Sequence, residues 1–142
     1  MKQNPLARKY LAALKNLIGR PLTPRDGLSL TQVIACERRL KLKLPAALKS
    51  YYELAGKLPI NTEHDQLYLP KALRIENGKL VFMEENQAVV FWGIDLNALK
   101  KLDPMVFQAN NESEIVWYSE DLCFSDWIIK MWRWQAGLDP GV

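Results

Sequence analysis

Residues 72–82, ALRIENGKLVF, carry the clearest structural signal in the chain. At their centre, Asn77-Gly78 is the residue pair that best tolerates the positive φ angles of a type I′ turn. Strand-forming residues flank the pair on both sides, so we predict a β-hairpin. The next segment, residues 87–94 (QAVVFWGI), is apolar on both of its faces. This pattern indicates a central strand, and therefore a sheet in the second half of the chain.

The rest of the second half is predicted to form further strands and a closing helix. Residues 64–70 contain a short extended piece, and residues 97–102 a helical turn. We predict strands at residues 104–109 and 114–119, which are separated by the polar segment NNES. Residues 120–137 are predicted to be a helix, with acidic residues early and basic residues later.

The first half of the chain has helical periodicity. An apolar stripe over residues 6–18 predicts one helix. Ser29 and Gln32 have the spacing of a capping box at the start of a second helix. A third helix begins at Pro45, and Gly56 is expected to end it by adopting a positive φ. We therefore predict an α+β fold with N-terminal helices, a mostly antiparallel sheet of about five to six strands, and a C-terminal helix packed on it.

Length and composition indicate one ordinary globular domain. The 142 residues are 49% hydrophobic and 25% charged. We expect residues 1–142 to form a single domain, with an N-terminal helix and loop over 1–28 and a core over 29–137. No apolar run approaches the roughly 18 to 20 residues that a membrane helix needs. Two cysteines are too few for a disulfide framework or a metal set, so we expect a cytoplasmic protein with reduced thiols.

Charge is divided unevenly along the chain. Residues 1–57 contain 12 Lys/Arg and 3 Asp/Glu, a formal charge of +9, whereas residues 58–142 contain 7 and 13, a formal charge of −6. Nucleic-acid binding by the basic half is one interpretation, but aromatic side chains are not interleaved with the charges. The simpler interpretation is that these charges lie on helix faces that are exposed to solvent. The basic cluster consists of Arg38, Arg39, Lys41 and Lys43.

Residues able to carry catalysis are few. His64 is the only histidine, so most zinc sites and histidine-based dyads lack a partner residue. Cys123 lies near a predicted helix start, which could lower its thiol pKa, but no histidine lies near it in sequence. Glu84 and Glu85 would point to opposite faces of a strand. We therefore predict no catalytic site, no metal site and no cofactor.

The acidic half of the chain provides the predicted partner-binding surface. A negative surface beside an aromatic strand suits rapid, steered association with a protein. In the turn before that strand, we expect Asn86 to cap the backbone through its side chain and Gln87 to satisfy a buried backbone group. The candidate partner-binding residues are Glu63, Asp65, Glu84, Glu85, Asp95, Glu112 and Glu114.

Four segments occur in an order that is shared with a known family. Residues 35–61, ACERRLKLKLPAALKSYYELAGKLPIN, form a helix–LP–helix–Gly unit, and residues 80–95, LVFMEENQAVVFWGID, lead from Glu-Asn-Gln into a Trp-containing strand. An Asp-Pro strand entry at 103–107 and a closing helix at 121–137 follow. This order resembles the SUKH superfamily, which includes yeast cell-wall assembly regulators and many bacterial immunity proteins. The matching positions are Glu37, Leu44, Pro45, Tyr52, Gly56, Glu85, Asn86, Gln87 and Trp92.

The resemblance implies an α+β fold and a role without catalysis. Many bacterial members are thought to be antidotes that bind a cognate toxin in the cytoplasm, and other members are regulatory or scaffolding proteins. An immunity protein that occludes a toxin domain is therefore the expected function, with a regulatory adaptor as the alternative. The positions that match the motifs are expected to be mainly structural. We also expect a monomer or weak homodimer that binds neither nucleic acid nor a membrane.

Overall fold

The computed structural model describes residues 4–138. These residues contain five α-helices: α1 (Pro5–Ile18), α2 (Leu30–Leu40), α3 (Ala46–Ala55), α4 (Ile60–Glu63) and α5 (Phe124–Gln135). They also contain six strands: β1 (Gln66–Leu67), β2 (Arg74–Glu76), β3 (Lys79–Glu84), β4 (Val90–Asp95), β5 (Met105–Asn110) and β6 (Tyr118–Cys123). None of the helices within residues 4–138 has the length and apolar character to span a membrane.

The strands form one antiparallel sheet with the order β1-β3-β4-β5-β6, and β2 pairs with another part of β3. β4 lies in the middle of this order, as its apolar sequence predicts. Asn77 (φ 47°) and Gly78 (φ 81°) connect β2 to β3, which confirms the predicted hairpin turn. Helices precede the sheet and α5 packs on it, so the predicted α+β architecture is confirmed.

β4 starts later than the sequence predicts, at Val90 rather than at Gln87. Residues 85–89 instead form the turn of the β3–β4 hairpin. The backbone N–H of Ala88 donates to the carbonyl of Glu85 at 2.8 Å, and Ala88 has a φ of 57°. A left-handed residue interrupts extended pairing. The apolar side chains in this turn explain why the sequence pattern extended the strand too far.

β6 and α5 are also displaced from their predicted positions. The strand expected at residues 114–119 lies at Tyr118–Cys123, and the closing helix starts only at Phe124. The segment just before β6 does not pair with β5, and its Trp117 ring packs on the outer face of the sheet over Gly93. A Cβ at Gly93 would lie 3.2 Å from that ring, so the absent side chain makes room for the indole.

Aromatic rings join the helices to one face of the sheet. Neighbouring ring centroids in this series are 5.2 to 6.4 Å apart. Most of the pairs meet edge to face, a geometry that adds about 0.5–1.5 kcal/mol per pair beyond area burial. The series runs through Tyr10, Tyr51, Phe124, Phe82, Trp127 and Trp92. It therefore connects α1 at the outside of the helical layer to the central strand.

Cation–π contacts cover part of the opposite, outer face of the sheet. The Arg74 guanidinium lies 4.9 Å from the ring centroid of Phe91 and 5.4 Å from that of Tyr68. It also donates to the Tyr68 hydroxyl at 2.7 Å. Similarly, the Lys79 ammonium lies 4.8 Å from the Phe107 centroid. These cations shield apolar strand residues from water while keeping their own charge near the surface.

Two helix ends differ from the sequence predictions. The Ser29 side chain makes no capping hydrogen bond, so the predicted capping box is absent. A reciprocal pair lies instead at Thr23 and Asp26, where the carboxylate accepts the Thr23 backbone N–H at 2.7 Å. Gly56 ends α3 with a φ of −62°, not with a positive φ. Glycine is required there for space, since a Cβ would lie 2.4 Å from the Leu28 side chain.

Candidate functional site

A groove of about 370 Å³ opens between the helix-facing side of the sheet and the later turns of α5. Side chains of β4, β5, β6 and α5 line it, together with the segment after α4 and the β3–β4 turn. The lining residues are His64, Asp65, Glu85, Val90, Trp92, Gln108, Glu120, Leu122, Trp127, Lys130, Met131 and Trp134. Three indole rings and three carboxylates therefore share one concave surface.

The carboxylate of Glu120 fixes the two inner tryptophans of the groove. Its Oε2 accepts the indole N–H of Trp92 at 3.2 Å and that of Trp127 at 2.9 Å. Both buried donors are thereby satisfied, and the carboxylate is held in one orientation. Within residues 4–138, no group donates a hydrogen bond to Oε1. The groove thus contains a preoriented carboxylate oxygen that is open to a ligand.

Aromatic side chains are exposed at the rim of the groove. Trp134 is 57% exposed, whereas Trp132 on the same helix is fully buried, as their separation on α5 predicts. The His64 ring lies 6.0 Å from the Trp134 ring. Tyr118 is 59% exposed and is paired with Gln108, so both side chains leave the same face of the sheet. Exposed tryptophan and tyrosine are typical of protein-binding surfaces.

Three of the predicted partner-binding acids lie together at one end of the groove. Asp65 and Glu85 line the groove, and Glu63 lines a neighbouring cavity that shares His64 and Trp134 with it. Asp65 is buried and accepts the backbone N–H of Asn86 at 3.0 Å. Glu84 is adjacent in sequence but lies beside Tyr68 rather than in the groove lining. These acids come from two chain segments that β1–β3 pairing brings together.

The remaining predicted acids lie elsewhere. Asp95 is at the opposite end of β4, where its carboxylate accepts the backbone N–H of Asn97 at 3.0 Å. Glu112 and Glu114 are exposed in the segment between β5 and β6. That segment reaches the β2–β3 turn, because the Asn77 side chain donates to the carbonyl of Ile115 at 2.9 Å. The structure therefore distributes the predicted acidic surface over separate regions.

Several positions that match the family motifs make structural contacts. Glu37, only 7% exposed, accepts the backbone N–H of Leu44 at 2.8 Å. This hydrogen bond explains an acidic residue on the buried side of α2, and it fixes the connection to α3. Pro45 is buried at the N-cap of α3. The Tyr52 hydroxyl donates to the carbonyl of Tyr68 at 2.5 Å, which joins α3 to the chain after β1.

The side chains of Asn86 and Gln87 do not have their predicted roles. Both residues are exposed, and within the described part of the chain neither side chain forms a hydrogen bond. Carboxylates fix this turn instead. Asp65 accepts the backbone N–H of Asn86, and Glu85 accepts that of Val89 at 3.4 Å. A contact across 21 residues, from Asp65, and a local contact, from Glu85, therefore hold the turn together.

A second cluster of reactive residue types lies where α1 meets α5. Lys9 donates to the Ser125 hydroxyl at 2.7 Å and also binds Asp126, while that hydroxyl donates to Asp103 at 2.5 Å. Ser125 is fully buried, and its contacts join α1, α5 and the segment before β5. Burial raises the pKa of the Cys123 thiol, in contrast to the lowered pKa that a helix start suggested. No group of three potential metal ligands occurs within residues 4–138.

The basic cluster is partly used for internal contacts. The Arg39 guanidinium donates to the carbonyl oxygens of Pro70 at 3.1 Å and Leu73 at 2.8 Å. Lys43 lies 3.9 Å from the Glu37 carboxylate. The Arg39 contacts connect α2 to the segment before β2, whereas the Lys43 side chain remains 89% exposed.

Glu120 is the groove residue that sequence reasoning missed. The helical pattern over residues 120–137 assigned it to a helix start, where an acidic residue is common. In the structure it lies on β6, between the central strand and the Trp-rich helix. The available signal was chemical: buried indole N–H groups need an acceptor, and Glu120 precedes that helix.

Comparisons with protein-family models, curated proteins and solved structures found no match.

Proposed function

We propose that the protein is a non-enzymatic binding protein that recognises a protein partner through the groove end of its fold. The partner is a toxin domain, and the protein neutralises it in the cytoplasm by binding to it and covering its working surface. Such a mechanism requires affinity but no turnover. The groove end comprises the groove lining together with Glu63 and the exposed rim residue Tyr118.

The observation that carries the proposal is the exposed Trp134 beside the carboxylates of Glu85 and Glu120. Tryptophan is enriched among the residues that dominate binding energy, and it is most effective when a partner covers it completely. Carboxylates around such an anchor attract a basic partner and increase the association rate. The same groove end thus supplies an apolar anchor and electrostatic steering.

The toxin as partner is supported by the sequence resemblance to the SUKH superfamily. Residues 35–61 and 80–95 carry that resemblance, and the second segment includes Glu85 and Trp92 of the groove. A scaffold whose binding surface is built on strands and a helix is suited to blocking another protein, because little of the surface must become ordered on binding.

Site-specific photocrosslinking in the source cells tests the proposal. A benzophenone amino acid replaces Trp134 in one variant and Leu102 in the control, since Leu102 is 72% exposed and outside the groove lining. We expect a protein to be crosslinked from position 134 and not from position 102. The crosslinked protein is then expressed in a heterologous host, with and without the wild-type chain.

The growth of that host decides between the functions. Growth arrest by the captured protein, relieved by co-expression of the wild-type chain, is the expected result. A captured protein that binds tightly but does not arrest growth would identify a regulatory adaptor and exclude toxin neutralisation. Equal crosslinking from positions 134 and 102 would show that the groove end is not the binding surface.

A further inference from the structure

We propose that the groove receives an arginine side chain of the protein partner, with the guanidinium against Glu120 and beside the tryptophan rings. This inference rests on the proposed function, because it specifies the part of the partner that the groove recognises. Three features of the groove support it: a fixed carboxylate, neighbouring indole rings and a net negative lining.

The fixed carboxylate is the charged contact. Glu120 Oε2 is occupied by the indole N–H groups of Trp92 and Trp127, and these bonds hold the carboxylate in place. Oε1 accepts no hydrogen bond from residues 4–138 and remains available to a guanidinium N–H. Glu85 lines the same groove and provides a second carboxylate for the several donors of the guanidinium.

The aromatic rings favour arginine over lysine. Trp134, which is 57% exposed, supplies the accessible indole face. Behind it, Trp92 and Trp127 are only 6% and 3% exposed, with ring centroids 5.4 Å apart and an interplanar angle of 48°. A guanidinium is planar and weakly hydrated, so it packs on aromatic faces at a lower desolvation cost than an ammonium. The protein uses this packing on its outer face, where Arg74 lies 4.9 Å from the Phe91 centroid.

The charge of the lining predicts the direction of an electrostatic test. With His64 neutral, the lining contains the three carboxylates of Asp65, Glu85 and Glu120 and one cation, Lys130. Lys130 is exposed on α5 and repels a cationic ligand. Removal of its charge should therefore tighten the binding of a cation, whereas the same change would weaken the binding of an anion.

Nuclear magnetic resonance titration with Nα-acetyl-arginine amide tests the inference directly. The expected result is a saturable movement of the indole N–H signals of Trp92 and Trp127, with little movement for the fully buried Trp132. The matched probe is Nα-acetyl-citrulline amide, which has nearly the same shape and no charge. We expect citrulline to bind at least about tenfold more weakly, and Nα-acetyl-lysine amide to bind less tightly than arginine.

Three variants complete the test. Glu120→Gln keeps an oxygen for the indole donors and removes the charge, so arginine binding should weaken by about tenfold or more. Lys130→Gln should tighten arginine binding by about two- to fivefold. Glu53→Gln, an exposed acid on α3 outside the groove lining, should leave it unchanged. If Glu120→Gln does not fold, Lys130→Gln and the citrulline comparison still decide the matter.

Equal binding of arginine and citrulline, or weaker arginine binding by Lys130→Gln, would overturn the inference. Failure here is distinguishable from failure of the proposed function. If the chain rescues growth but its groove does not select arginine, toxin neutralisation stands as the function and the arginine contact is wrong. Selective arginine binding without a crosslinked partner at position 134 would reject the proposed function and leave the groove a guanidinium-binding site.

Discussion

The carboxylate of Asp65 accepts the backbone N–H of Asn86 at 3.0 Å. This contact joins the segment after α4 to the β3–β4 turn and so shapes one side of the groove. In the Glu-Asn-Gln segment, the backbone N–H of Asn86 makes this structural contact, and the amide side chains of Asn86 and Gln87 do not.

The first prediction compares the two ends of that hydrogen bond. Asn86→Ala should change the free energy of unfolding by no more than about 0.5 kcal/mol, because an exposed side chain without partners is replaced. Asp65→Ala should cost about 1–3 kcal/mol, because it leaves a part-buried N–H without its acceptor. Urea denaturation of both variants provides the measurement. A larger loss for Asn86→Ala would contradict this assignment.

The second prediction concerns the buried carboxylate on α2. Glu37→Ala removes the acceptor of the Leu44 N–H and should cost about 1–3 kcal/mol. Glu37→Gln retains an oxygen at the same place and should cost less. Chemical denaturation of the two variants distinguishes acceptor loss from charge loss. Equal destabilisation by both would show that the negative charge, rather than the hydrogen bond, matters at this position.

The third prediction concerns space at the end of α3. In Gly56→Ala the new Cβ would lie 2.4 Å from the Leu28 side chain and 2.7 Å from the Tyr52 carbonyl oxygen. We expect a loss of about 1–3 kcal/mol from overpacking. A second substitution, Leu28→Ala, creates room, so the two changes should be less than additive in thermal or urea unfolding. Strict additivity would argue against direct contact.

The fourth prediction concerns pH. The Arg20 side chain, and then the backbone N–H of Thr23, lower the pKa of Asp26 well below its ordinary value. A lowered native pKa means that the stabilisation is complete above the unfolded pKa of about 3.9 and is lost as pH falls towards the native pKa. Asp26→Asn should therefore cost about 1–2 kcal/mol near neutral pH, and the difference from wild type should shrink below about pH 4.

Denaturation of both proteins across this pH range is the measurement, with Glu53→Gln as an exposed acidic control. High salt should reduce the stability difference between wild type and Asp26→Asn only partly. Salt screens the half-exposed Arg20 ion pair, but it has less influence on the hydrogen bond from the backbone N–H of Thr23. A difference between wild type and Asp26→Asn that grows as the pH falls would have the wrong sign.

Local signals predicted the fold well, and long-range contacts explain the errors. Asn77-Gly78 predicted its turn because the required φ values belong to those two residues. β6 starts late, and Trp117 just before it lies over Gly93, a contact between segments that no local pattern encodes. The groove was missed for the same reason. Its central acid, Glu120, acquires its role only when β6 lies between the central strand and α5.

The central claim is that a protein partner binds at the groove end. Its most direct test is the dissociation constant between the purified chain and the protein crosslinked from position 134, measured for wild type, Glu85→Lys and the exposed control Glu53→Lys. We predict that Glu85→Lys weakens binding by about tenfold or more and abolishes growth protection, whereas Glu53→Lys changes neither. Unchanged affinity and full protection in Glu85→Lys would contradict the claim.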